Sequence, residues 1–177
     1  MRFLPELPKG HLYLLLAPPV VQRPLLNEFI ARLALGGEVQ VLVCANRFHT
    51  HEIARRLRRH SEALEAALGR IHLGRAFTCY QVLSLLRCHR QVRLPTLVTD
   101  LPDLFYDESV PQAKRLKLFE DCLDELKCLS SQAPTLVSAS RASYPLSGHF
   151  LDLLQANAQS IWEVEQPSSP ALQLRLF

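Results

Sequence analysis

LLLAPPVVQRPLL, residues 14–26, passes from an apolar segment through small residues and prolines into an amphipathic one. In an α/β protein, such a strand–loop–helix junction is where a phosphate-binding loop lies. That loop is written G-x-x-x-x-G-K-[ST], and its glycines let backbone N–H groups turn toward phosphate. The residues standing at these positions are Ala17-Pro18-Pro19-Val20-Val21-Gln22-Arg23-Pro24. On the strand side, Leu12–Ala17 is apolar throughout, as a strand buried on both faces must be. On the helix side, the spacing predicts a helix over 25–35 with Leu26, Phe29, Ile30 and Leu33 on one face. Pro24 is expected in its first turn, where a missing N–H costs little, and Gly36-Gly37 ends it.

The same alternation continues outward. Val39–Cys44 (VQVLVC) is a second buried strand, and HEIARRLRRH is a helix with Ile53 and Leu57 inside. SEALEAALG is helical, opened by Ser61 and closed by Gly69, and residues 71–74 form a short strand. Thr78 caps a helix carrying Tyr80, Val82, Leu83, Leu85 and Leu86. TLVTD, residues 96–100, is a strand ending in a carboxylate. A long helix follows Pro111, with Leu116, Phe119, Leu123 and Leu126 on its apolar side. Thr135–Ala139 is a strand and residues 147–156 a short helix. SIWEVE and ALQLRLF are closing strands, joined through Gln166-Pro-Ser-Ser-Pro170 as a hairpin. Strands alternating with helices imply crossover units. The expected fold is therefore α/β, a mostly parallel sheet flanked by helices with a C-terminal antiparallel hairpin at one edge. Short connections make residues 1–177 a single domain.

Composition narrows the function class. With 48% hydrophobic and 21% charged residues in 177, the chain is globular. Five cysteines, an odd number without a C-x-x-C pair, read as free thiols in a reducing, cytoplasmic setting. The N-terminus has no signal-peptide core, and no apolar run is long enough to span a bilayer, so no membrane partner is expected. A net charge of +3 permits nucleic-acid contact without arguing for it.

Three constellations carry ligand-type residues without ligand-type spacing. His49-x-His51 with Glu52 lacks any further His/Cys cluster, so no metal site is expected. Cys88-His89 lacks an orienting partner for a thiol nucleophile. Asp100, Asp103, Asp107 and Glu108 could hold a divalent cation, but strand exit and solvated loop is the plainer reading. Two basic sets are candidates for phosphate contact with DNA. One is Arg55, Arg56, Arg58, Arg59 and His60; the other is Arg87, His89, Arg90 and Arg93. Solvated arginine-rich helix faces have the same appearance.

Taken in order, "LPKGHLYLLLAPP", "VLVCANRF" with "HEIARRL", "RIHLGRAFTCYQVLSLL" and "TLVTDLPDLFYDES" resemble the core of the RecA/RadA recombinase family. The likeness runs over about residues 9–177, and "RIHLGRAF" is its most distinctive piece. The resemblance implies an ATP- and magnesium-dependent core, which the aligned residues do not supply. Ala17 and Gln22 stand at the glycine positions, and Pro18 and Pro19 lack N–H groups. Arg23 replaces the lysine with a wide planar head, and Pro24 replaces the magnesium-binding hydroxyl. Asp100 matches the Walker B aspartate. Cys44, Ala45 and Asn46 stand where a catalytic glutamate is needed, and Glu52 lies farther on. Ser138 and Ser140 replace a nucleotide-sensing amide. The family binds DNA through loops after its fourth and fifth core strands, and here the second of these, residues 141–147, is short.

The expectation is a degenerate, catalytically silent member, with no cofactor and with Arg23 and Asp100 as vestigial nucleotide-binding residues. It acts as a binding or scaffold protein among DNA repair and recombination proteins, as short silent members without an N-terminal oligomerisation segment do. The final Gln173-Leu174-Arg175-Leu176-Phe177 resembles the peptide by which bacterial polymerases and repair proteins grip the sliding clamp. In that reading Gln173, Leu174, Leu176 and Phe177 are the contacts. Leu172, Leu174 and Leu176 also alternate as a strand does. The alternatives are a divergent ATP-binding protein or ATPase, and a regulator of the same fold with no DNA role.

Overall fold

β1 (Leu12–Leu16) is buried along its whole length. Leu12, Leu14 and Leu16 enter one apolar cluster, while Tyr13 and Leu15 enter another. Successive strand side chains leave on opposite faces, so this strand has core on both sides. The computed structural model describes residues 8–44, 48–60, 63–140 and 149–165. Within them the other strands are β2 (Val39–Cys44), β3 (Ile71–Ala76), β4 (Thr96–Thr99), β5 (Thr135–Ala139) and β6 (Ser160–Glu163). They form a 6-stranded sheet in the order β3-β2-β4-β5-β1-β6, every pair parallel.

The crossovers are α1 (Pro19–Gly36), α2 (Thr50–Leu57), α3 (Leu64–Gly69), α4 (Cys79–Cys88), α5 (Gln112–Gln132) and α6 (His149–Asn157). A 3-10 turn, Leu101–Phe105, follows β4. The chain steps toward the β3 edge from β1 to β2 to β3, then toward the β6 edge from β3 onward. Right-handed crossovers stepping in opposite directions cover opposite faces. Accordingly, Phe29, Ile30, Ile53, Leu57 and Ala67 of α1–α3 share one core cluster. Val82, Leu86, Phe119, Leu126 and Leu154 of α4–α6 share the other. The α/β architecture with helices on both faces is thus as the alternating pattern requires.

Several boundaries differ from expectation. The helix expected over 25–35 starts at Pro19, which takes the first-turn role assigned to Pro24. Pro24 lies inside the helix and cannot donate to the Val20 carbonyl. The helix continues through it because Leu26, Phe29 and Ile30 bury its inner face, and tertiary packing outweighs local propensity. β3 runs past residue 74, with Arg75 opposite Val43 and Ala76 opposite Cys44. The α4 cap is as read, the Gln81 N–H donating to Thr78 Oγ1 at 3.3 Å. Ser61 lies outside the described residues.

The first arm of the expected hairpin is β6, which adds in parallel beside β1 rather than across it. Trp162 holds it there, stacked on Phe29 with centroids 5.8 Å apart. The second arm, residues 171–177, lies outside the described residues.

Candidate functional site

β2 and β4 are neighbours whose outgoing connections turn toward opposite edges of the sheet. Ligands of α/β proteins bind in the crevice that such a divergence opens at the strand carboxyl ends. A cleft lies there, between Gln22, Arg23 and Asn27 of α1, Phe48 and His49 beyond β2, and Thr99 and Asp100 at the exit of β4. Its cavity volume is about 20 Å³, the scale of about one water molecule.

The junction feeding this cleft is short. Only Ala17 and Pro18 separate β1 from α1. The Ala17 N–H is directed at the Ala139 carbonyl at 3.4 Å, and the Val21 and Gln22 N–H groups both donate to the Pro18 carbonyl at 2.9 Å. Pro18 and Pro19 have no N–H to offer. A phosphate cradle needs successive free N–H groups in an open loop; here the segment has wound into helix and spent them.

Winding that segment into helix turns Gln22 inward, where it is 2% exposed. Its Nε2 donates to Asp100 Oδ1 at 3.2 Å. Asp100 itself sits in the left-handed region, with φ 52° and ψ 39°, and its N–H donates to Ser138 Oγ at 3.1 Å. Its side chain makes no capping hydrogen bond to the turn that follows. Ser140, the other serine expected at this level, is 2% exposed, and its hydroxyl has no hydrogen-bond partner among the described residues. One turn along α1, Asn27 Nδ2 donates to Glu52 Oε2 at 2.9 Å. Glu52 therefore folds back from α2 onto α1, where an amide engages it.

The structure thus brings Arg23 and Asp100 to one cleft, Arg23 exposed and Asp100 half-buried. Sequence reasoning missed Gln22 and Asn27 as site residues. Their signal was the placement of two amides among the buried positions Leu26, Phe29 and Ile30 of an otherwise apolar helix face. Ala45 and Asn46 lie outside the described residues, as do residues 141–147 and the clamp-like Gln173, Leu174, Leu176 and Phe177.

The other constellations resolve locally. His49 and His51 have ring centroids 5.7 Å apart, and no group of three metal-ligating side chains forms among the described residues. Asp107 accepts from the Ser109 N–H at 2.9 Å, and that turn holds its carboxyl below the usual range. His89 Nδ1 lies 2.8 Å from the Leu85 carbonyl of its own helix, and Cys88 is exposed.

The two basic sets sit on opposite faces of the sheet, one on α2 and the other at the end of α4, so they form no single track. Arg56 pairs with Glu28 at 3.4 Å. Arg87 and Arg90 both lie 3.6 Å from the Glu125 carboxylate, and Arg90 Nε donates to Cys128 Sγ at 3.3 Å. Arg55, Arg58, Arg59 and Arg93 are exposed.

No helix among the described residues is long and apolar enough to cross a membrane. Compared with known proteins, the chain matches no family model and no curated protein.

Proposed function

We propose that the chain is a RecA-like domain without ATPase chemistry that serves as a binding or scaffold partner in DNA repair or recombination. One observation carries the silent half of this reading: the Gln22–Asp100 hydrogen bond. At the position where a phosphate loop keeps a glycine, this chain has a buried amide that engages the carboxylate standing at the Walker B position. The two-residue junction and its prolines act in the same direction. The repair role is supported by the ordered resemblance of the segments and by the terminal QLRLF.

Two measurements test the two halves. ATP with magnesium is expected to leave the melting temperature unchanged; a stabilisation that Asp100→Ala abolishes overturns the silent reading. The intact chain is expected to bind a bacterial sliding clamp and to lose that binding when residues 173–177 are deleted. An intact chain with no affinity for the clamp removes that partner.

A second reading, a divergent ATP-binding protein, is favoured by one feature, the shared cleft of Arg23 and Asp100. The same thermal measurement separates it from the first. A regulator with no DNA role is separated by whether the intact chain binds nucleic acid at low salt.

A further inference from the structure

The arginines divide into two groups. Arg32 and Arg56 share Glu28, at 2.9 and 3.4 Å, and Arg87 and Arg90 share Glu125. Arg70 donates to the Ala34 and Leu35 carbonyls, and Arg115 to that of Phe105. These cations are already committed within the fold. Arg23, Arg55, Arg58, Arg59, Arg75 and Arg93 are exposed, and no side-chain hydrogen bond or ion pair engages them among the described residues.

Four of them, Arg55, Arg58, Arg59 and Arg75, lie on one side of the sheet, whereas Arg23 stands in the cleft and Arg93 follows α4. Arg55, Arg58 and Arg59 have i, i+3, i+4 spacing along α2 and its C-terminal turn, opposite the buried Ile53 and Leu57. On β3, a Cβ at Gly74 would meet Leu85 of α4 at 2.8 Å, so the even-numbered residues face α4. Ile71 packs with the cluster of α1–α3, so Arg75, on the odd row, leaves on the α2 side. α2 and α3 form the crossover from β2 to β3 on that side of the sheet, α2 against α1 and α3, and α3 against β3. Two exposed apolar residues continue this edge: Leu73, 41% exposed, and Phe77, 57% exposed just past the strand end.

We propose that this α2–β3 face is a docking surface for single-stranded nucleic acid. It is built from other residues than the loops after the fourth and fifth strands that the family resemblance implies. The inference rests on the proposed role in DNA repair or recombination and adds a direct nucleic-acid contact to it. Uncommitted guanidinium groups supply the phosphate contacts, and their charge is complementary to a polyanion. An exposed phenylalanine two residues past Arg75 offers a stacking platform. A duplex keeps its base faces stacked on one another, so Phe77 selects the unpaired strand.

The test is fluorescence anisotropy with a labelled oligodeoxythymidine, its RNA counterpart and a duplex, over a salt series. The wild-type chain is expected to bind both single strands more tightly than the duplex. Arg55→Ala/Arg58→Ala/Arg59→Ala, all at exposed positions, should weaken binding tenfold or more. It should also flatten the slope of log affinity against log salt by about 2, because each phosphate neutralised on a single strand adds about 0.7 to that slope. Phe77→Ala should weaken binding about fivefold or more with the salt slope unchanged. Arg87→Ala/Arg90→Ala, at committed arginines, should change affinity less than twofold. Wild-type binding that survives the triple substitution, or falls with Arg87→Ala/Arg90→Ala instead, overturns the surface and leaves the DNA role standing. Preference for the duplex overturns the single-strand assignment. No binding by the wild-type chain even at low salt removes the DNA role itself.

Discussion

Asp100 concentrates the local tension of the molecule. Among the described residues it is the one non-glycine with positive φ, held there by its N–H bond to Ser138 and the amide of Gln22. A Cβ in the left-handed region costs about 1–2 kcal/mol, a penalty that aspartate bears better than most residues. Asp100→Gly and Asp100→Ala both remove the carboxylate, but only glycine relieves the backbone. Urea unfolding should therefore show Asp100→Gly more stable than Asp100→Ala by about 1 kcal/mol; the opposite order would refute strain at this position. Gln22→Ala removes a buried donor from a carboxylate and should cost about 1.5–3 kcal/mol in the same measurement. Gln22→Glu sets two carboxylates side by side. It should be markedly less stable at neutral pH and recover on acidification, as one proton comes to be shared. Asp100 was legible in the sequence as a carboxylate ending a strand. Its partner was not, because Gln22 lies 78 residues away and only the sheet order brings them together.

Among the elements, α1 shows how far packing can override a local rule. A proline inside a helix forfeits one hydrogen bond and crowds the preceding turn, a cost of about 3 kcal/mol in an ordinary helix. Pro24→Ala should therefore raise the melting temperature, whereas Pro19→Ala, at the first helical position, should leave it nearly unchanged. Equal effects at the two prolines would contradict the observed helix start. β3 meets α4 closely at Gly74, where a Cβ would lie 2.8 Å from Leu85 Cδ1 and 3.1 Å from Leu42 Cδ2. Gly74→Val should cost about 1–3 kcal/mol through overpacking, read as a lower urea midpoint. Element identities were legible because apolar runs and 3.6-residue spacing persist along them. The start of α1 was not, because two prolines five positions apart are both admissible as a first turn until a buried face chooses between them.

Across the whole molecule, the cores on the two sheet faces differ in chemistry. Cys44, Cys79 and Cys122 all lie in the cluster under α4–α6. Burial first, then neighbouring charges, pushes the Cys44 and Cys122 thiols well up, and burial also raises Cys79. Burial pushes the Tyr106 hydroxyl up to about 12. In the unfolded chain these groups release protons at about pH 8.5–10, while the folded chain keeps them. Bound protons then favour the folded state less as pH rises, so stability is full below about pH 8 and falls through the alkaline range. Urea midpoints at neutral pH and pH 10 should show that decline; a flat profile would mean that these groups ionise in place. In the native state, iodoacetamide should modify exposed Cys88 and half-buried Cys128 first and reach the other three only on unfolding.

The sequence by itself determined the α/β class, the position of almost every element and the absence of a phosphate-loop motif at residues 17–24. Each of these is written in short-range periodicity or in residue type. Tertiary structure alone decided that β6 stands parallel beside β1, that α1 begins at Pro19, and that Gln22 closes on Asp100. It alone separated the arginines paired with Glu28 and Glu125 from those left facing solvent. These outcomes depend on which residues distant in the chain become neighbours. That is settled by burying both faces of one sheet at once, a condition no local window contains.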